Sequence, residues 1–235
     1  MTTPHAWKHG WADAYAYRNG DIAEEFLDLV VKPTVAALEK RHLELATSDN
    51  LAIAGFAASD HRDLINKTNM AFCLSIQSLW EQQIRRYLIV CVQTLGMEGV
   101  SVAKLEKISW GKDFDRLFLK VRGLSLSGFS SYKLLGLLHM LGNACRHGDG
   151  PSSRELSAVH SYLWPEWARE AASIQHLQIP PELLASFVDA IVLFWMDMDI
   201  LGLESLVNKQ PTVSAEIERL QALRIPLLAN ITHSA

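Results

Sequence analysis

Four polar side chains occur at regular spacing in and just after one of the most apolar segments of the chain, YKLLGLLHMLGNAC. His139, Asn143 and His147 are four residues apart, and Arg146 follows Asn143 by three. Because residues three or four positions apart share one face of an α-helix, these side chains are predicted to form one polar stripe. The C-terminal end of a helix dipole also favours a positive charge on Arg146 or His147.

Histidine, arginine and asparagine can together support RNA cleavage without a metal ion. The reaction needs a general base for the ribose 2′-hydroxyl, a general acid for the departing 5′-oxygen and a cation for the charge of the transition state. Histidine exchanges protons near neutral pH, and arginine stays charged. We therefore predict that His147 is the general acid or base, that Arg146 stabilises charge, and that Asn143 orients the histidine or binds phosphate.

Each of these residues also has a structural interpretation. Arg146 and His147 are placed to hydrogen-bond the last free carbonyl groups of their helix, and His139 is more simply explained as a core or interface histidine. A buried asparagine at position 143 needs hydrogen-bond partners in either case. At the level of the sequence both interpretations stay open.

The N-x-x-x-H spacing of Asn143 and His147, late in a predicted helix, resembles the R-N-x-x-x-H motif of the HEPN superfamily. The likeness covers roughly residues 60–205, and Gly142 stands where the motif has its arginine. The resemblance implies an all-helical, metal-independent endoribonuclease that acts as a homodimer, with the two motifs building one active site. It also implies a bacterial toxin–antitoxin or phage-defence context, with an RNA substrate and an antitoxin or another protein partner. Some members are non-catalytic dimerisation or interaction modules, which is the alternative function.

Three arginines are candidates for the missing positive charge. Arg146 is adjacent to His147, and Arg85 or Arg86 would reach the site from a long preceding helix. Arg85 stands four residues after Glu81, a spacing that usually makes a surface ion pair. In a bundle with a polar pocket at His147, Glu81 and Arg85 would line that pocket together with His139.

A zinc site built from His139, Cys145, His147 and Asp149 is not expected. Cys145 points to a different side of the helix from the two histidines, and the sequence has no second cluster of ligand residues. Phosphate-binding glycine loops, G-x-S-x-G, H-E-x-x-H and paired C-x-x-C motifs do not occur in the sequence either. We therefore predict neither a metal nor a cofactor.

The polar stripe is predicted to lie on a helix over residues 130–147, which ends at Gly148 in a GDGP turn. This helix is apolar almost all round, as a helix packed on several sides is. Another helical pattern, the longest in the chain, covers residues 61–95, and no segment has the alternation of a β-strand. The predicted fold is all-α, a bundle of about six to eight helices around the central helix 130–147.

The chain is predicted to divide into an N-terminal strap (1–20), a helical bundle (21–209) and a C-terminal helix and tail (210–235). The strap is aromatic and is expected to pack on the bundle or on a partner. Its aromatic residues are Trp7, Trp11, Tyr15 and Tyr17.

Composition narrows the partners and the cellular location. The chain has 22 basic and 26 acidic side chains, a net charge of −4, so any contact with RNA must be local. Its three cysteines are widely spaced among apolar residues, as is typical of reduced core residues in a cytoplasmic protein. The most hydrophobic window, LLASFVDAIVLFWMDMDILGL, contains three aspartates, which favours a buried helix over a membrane span.

Overall fold

The computed structural model describes residues 7–48, 51–108 and 110–234. In these ranges the regular structure is helical and no strand occurs, so the prediction of an all-α fold is confirmed. The α-helices in chain order are α1 (Trp11–Ala16), α2 (Asn19–Phe26), α3 (Lys32–Ala46), α4 (Leu51–Leu95), α5 (Val102–Lys107), α6 (Lys112–Arg122), α7 (Tyr132–His147), α8 (Pro151–Val159), α9 (Pro181–Glu204) and α10 (Pro211–Ser234).

The chain forms two compact units, each assembled from separate segments. Unit 1 comprises Met1–Ala23, Leu79–Leu135 and Asp189–Ala235, and unit 2 comprises Glu24–Ser78 and Gly136–Val188. Helices α2, α4, α7 and α9 therefore contribute residues to both units. The two units are defined by which segments pack together in space, whereas the strap, the bundle and the tail are consecutive parts of the sequence. The predicted division into these three parts therefore stays a prediction.

Unit 1 contains an aromatic core and a buried ion pair. The rings of Trp80 and Phe194 meet edge to face, with centroids 4.6 Å apart. Asp13 accepts hydrogen bonds from the Tyr87 hydroxyl at 2.8 Å and from the Arg122 guanidinium at 3.1 Å, and all three residues are buried. A buried charge needs such a partner, so this pair ties the N-terminal segment to α4 and α6 within the unit.

The aromatic residues of the predicted strap differ in exposure. Trp7 is buried, and its ring lies 3.6 Å from the centre of the Arg122 guanidinium, a cation–π contact. Trp11 and Tyr17 are largely exposed, whereas Tyr15 is 43% exposed and its ring lies 4.8 Å from the centre of the Arg86 guanidinium.

Unit 2 contains the part of α7 that carries the polar stripe. As predicted, this helix ends at Gly148, which has a left-handed φ of +70° and donates its N–H to the Ala144 carbonyl at 2.9 Å. The helix is not buried all round, because Lys133 and the last two residues of α7 are exposed. Helix α9 is buried more completely, since every residue from 190 to 195 is buried.

None of the helices in the described ranges combines the length and the apolarity needed to cross a bilayer.

Candidate functional site

The last turns of α7 carry the four residues of the polar stripe. His139 and Asn143 are half-buried, whereas Arg146 and His147 are exposed at the end of the helix. Within the described part of the chain, no hydrogen bond or ion pair links the His147 side chain to another residue. The His147 ring is thus open to solvent and to a ligand.

A buried glutamine of α4 connects the stripe to a second helix of unit 2. Gln77 is fully buried, and its Nε2 lies 3.3 Å from Nδ1 of His139. Its Oε1 accepts a hydrogen bond from the Arg146 guanidinium at 3.4 Å. On the other side of the imidazole, Asn143 Nδ2 lies 2.9 Å from His139 Nε2. These contacts form one continuous series, which runs from Arg146 through Gln77 and His139 to Asn143.

The hydrogen-bonding groups around His139 restrict which of its ring nitrogens carries the proton. A neutral imidazole has one donor and one acceptor, so Gln77 and Asn143 cannot both donate to His139. Gln77 presents its oxygen to Arg146, which leaves its NH₂ group to donate to His139 Nδ1. With the ring proton on Nε2, a hydrogen bond there requires the side-chain oxygen of Asn143 to face that nitrogen, which is the reverse of the amide orientation described above. In this arrangement His139 orients Asn143.

Gly142 allows α4 and α7 to approach closely at this point. A Cβ atom on Gly142 would lie 1.8 Å from Gln77 Oε1 and 2.4 Å from Gln77 Cδ. Any larger residue would therefore displace the glutamine from its contacts with His139 and Arg146. The glycine at position 142 is thus coupled to the presence of Gln77.

Glu81 and Arg85, the predicted pocket pair, lie on the part of α4 that belongs to unit 1. The Arg85 guanidinium donates to the carbonyl oxygens of Leu105 at 2.7 Å and Ile108 at 2.9 Å, near the end of α5. It also lies 5.9 Å from the centre of the Phe114 ring. Arg85 therefore has a structural role in unit 1, whereas the pocket at His147 stays a prediction.

Three of the four residues named for a zinc site are engaged in other contacts within unit 2, and His139 is held by Gln77 and Asn143 as described above. The Cys145 thiol interacts with the thiol of Cys73, which lowers the pKa of Cys145. Asp149 accepts hydrogen bonds from the Ile174 N–H at 2.7 Å and the Ser173 hydroxyl at 2.9 Å, and these two bonds lower the pKa of its carboxyl group. Among the described residues, no three histidine, cysteine or acidic side chains are grouped as a metal site requires.

A basic groove of about 510 Å³ lies in unit 1, along α5 and α6. Its charged lining consists of Lys104, Lys107, Arg116 and Lys120 with one acid, Asp113. Asp113 is already paired with Arg116, and Lys120 donates to the Gly99 carbonyl at 3.2 Å. The groove thus carries net positive charge on a chain that is acidic as a whole, as a local contact with phosphate groups would require.

Sequence reasoning did not single out Gln77 or the lysines of the groove. Gln77 has a weak signal, because it is a polar residue that follows Cys73 by four positions in the apolar stripe of α4. Lys104 and Lys107 stand three apart, so they share a face of α5. Neither pattern indicates which other helix completes the cluster.

No family model, curated protein or solved structure matches the chain. The site is therefore interpreted from its own geometry.

Proposed function

We propose that the chain is a HEPN-like, metal-independent endoribonuclease of a bacterial toxin–antitoxin or defence system, acting in the cytoplasm as a homodimer. The observation that carries the proposal is the pair Arg146 and His147, exposed side by side at the glycine-terminated end of α7. Behind them, Asn143 is held by its contact with His139, which in turn contacts Gln77. A cation and a proton-exchanging ring are thereby presented to solvent from an ordered helix end.

The proposed reaction is a transesterification within the RNA strand. His147 accepts the proton of a ribose 2′-hydroxyl as the oxygen attacks the adjacent phosphorus. The bond from phosphorus to the 5′-oxygen breaks, and the partner's His147, in its protonated form, donates a proton to that oxygen. The products are a 2′,3′-cyclic phosphate and a 5′-hydroxyl end, so water is not consumed in this step.

The remaining groups act on the charge of the phosphate. The guanidinium of Arg146 is assigned to the non-bridging oxygens, where negative charge develops in the transition state. Arg146 thus takes the role of the motif arginine that Gly142 does not supply. Asn143, whose side chain contacts His139, is assigned either to orient His147 or to hydrogen-bond a phosphate oxygen.

The test is RNA cleavage by the purified protein in the presence of EDTA. We expect cleavage to persist with the chelator and to yield 2′,3′-cyclic phosphate ends. The variant His147→Ala should lose about 10²–10⁴-fold in rate, the usual contribution of general acid–base catalysis. The matched control is His160→Ala, which removes a half-buried histidine of unit 2 whose ring lies 5.6 Å from Tyr162. Equal rates for wild type and His147→Ala, with both folded by circular dichroism, would remove the histidine from the mechanism.

A second candidate is a non-catalytic interaction module. One observation in its favour is that Gln77 fills the space a motif arginine at position 142 would need. The other is the exposure of large apolar side chains on the helices of unit 2: Leu29 (74%), Leu43 (64%) and Phe56 (79%). Sedimentation of the wild type and of Leu43→Ser/Phe56→Ser, together with the RNA cleavage assay, separates the candidates. Self-association that depends on these residues, without RNA cleavage, supports the module.

A further inference from the structure

Two cysteines face each other across the close approach of α4 and α7 in unit 2. Cys73 precedes Gln77 by one helical turn, and Cys145 follows Gly142 by one turn. The absence of a side chain at Gly142 allows Gln77 to lie against the backbone of α7, which brings the neighbouring turns together as well. As a result, the thiols of Cys73 and Cys145 lie close enough for each to shift the pKa of the other.

The two thiols differ in environment and therefore in reactivity. Cys145 is half-buried, and the hydrogen bond from Cys73 together with the charge of Lys67 lowers the pKa of its thiol. Cys73 is completely buried, and its hydrogen bond with Cys145 and its burial raise the pKa of its thiol. Cys145 is the more exposed of the two thiols and is therefore the one that a peroxide reaches first; the direction of its pKa shift agrees, because the thiolate is the nucleophile.

We propose that Cys145 and Cys73 form a reversible intramolecular disulfide when the protein meets a peroxide, with Cys145 as the attacking and Cys73 as the resolving thiol. The Cys145 thiolate attacks one oxygen of hydrogen peroxide, the O–O bond breaks, and a sulfenic acid and hydroxide form. The Cys73 sulfur then attacks the Cys145 sulfur, the S–O bond breaks, and water leaves. Overall, two thiols lose two electrons and two protons, and one peroxide is reduced to two waters.

The position of this bond couples it to the end of α7. Cys145 immediately precedes Arg146 and His147, so a disulfide to α4 would fasten the turn that presents both residues. The inference does not require that the protein cleave RNA, since the disulfide is detected chemically. The absence of the disulfide and the absence of ribonuclease activity are therefore detected in separate experiments.

The experiment treats the wild-type protein with hydrogen peroxide, alkylates the remaining thiols after denaturation, and maps the peptides by mass spectrometry. We expect a monomer lighter by two hydrogen atoms, a linked pair of peptides containing Cys73 and Cys145, and alkylation of Cys91 alone among the three cysteines. Dithiothreitol should restore three alkylated thiols. Cys91 is the internal control, because it is buried and lies in unit 1.

Variants make the assignment of the two roles testable. Cys91→Ser should form the disulfide as the wild type does, whereas Cys73→Ala should stop at an oxidised Cys145 without a cross-link. Since Cys73 is completely buried and its variant can fold poorly, the peptide map of the wild type decides the outcome on its own. The inference is overturned if peroxide leaves all three thiols alkylated, if Cys145 is oxidised without a link to Cys73, or if the link involves Cys91 or a second chain.

Discussion

Gly142→Ala is expected to destabilise the protein, although alanine is the better helix former. The new methyl group would lie 1.8 Å from Gln77 Oε1, 2.4 Å from Cδ and 3.2 Å from Cγ. Gln77 is fully buried, so its amide cannot simply swing into solvent. It must give up its contacts with His139 and Arg146 to make room.

The magnitude follows from three contributions. Replacing glycine by alanine inside a helix stabilises by about 1 kcal/mol. Overpacking costs about 1–3 kcal/mol, and each of the two lost hydrogen bonds costs about 0.5–1.5 kcal/mol. The net expectation for Gly142→Ala is a loss of about 1–5 kcal/mol in the free energy of unfolding.

The same substitution should have the opposite sign once Gln77 is shortened. In Gln77→Ala the clash is absent and the hydrogen bonds are already lost, so Gly142→Ala contributes only its helix propensity. We expect the double variant to be more stable than Gln77→Ala by about 0.5–1 kcal/mol. Urea unfolding of the four proteins, followed by circular dichroism, measures the cycle.

Gly136→Ala is the matched control, because it lies on the same helix and its Cβ would meet nothing within 4 Å. It should be neutral or stabilising in both backgrounds. If instead Gly142→Ala has the same effect with and without Gln77, to within about 0.5 kcal/mol, the two positions are independent and the packing argument is refuted.

Two further predictions concern charge in unit 1. Burial, with the negative charges of Glu216 and Asp13, raises the pKa of Asp199 to about 6. Asp199 therefore binds its proton more tightly in the folded state than in the unfolded chain. The protonated carboxyl group stabilises the fold fully below about pH 4, and this stabilisation is lost as the pH rises through about 6. The free energy of unfolding of Asp199→Asn should therefore exceed that of the wild type by about 1–2 kcal/mol at pH 7.5, after allowance for solvent screening. Near pH 4 the two free energies should be almost equal. A difference that does not change with pH would contradict this assignment. Second, replacing the three groove lysines by glutamate should weaken single-stranded RNA binding and make the slope of log affinity against log salt shallower by about 2, as measured by fluorescence anisotropy. The replaced residues are Lys104, Lys107 and Lys120. The control replaces three exposed lysines elsewhere, Lys8, Lys40 and Lys133. An equal loss in the control would mean that net charge, rather than the groove, governs binding.

The sequence by itself determined the element that carries the site. The spacing of polar residues and the glycine at position 148 predicted the helix that ends at His147, and the structure ends α7 there. Helix periodicity and the left-handed conformation of glycine act within a few residues, so they can be recognised in the local sequence. The all-α fold follows from the same local patterns.

Only the tertiary structure decided what the stripe contacts. Gln77 meets His139 from 62 residues away in sequence and occupies the space above Gly142, and no periodicity along α7 encodes that partner. Likewise, Arg85 has the spacing of a surface ion pair but donates to carbonyl groups near the end of α5. The spacing of side chains along a helix is a property of its backbone, whereas the neighbour that each side chain meets depends on how helices distant in sequence pack together.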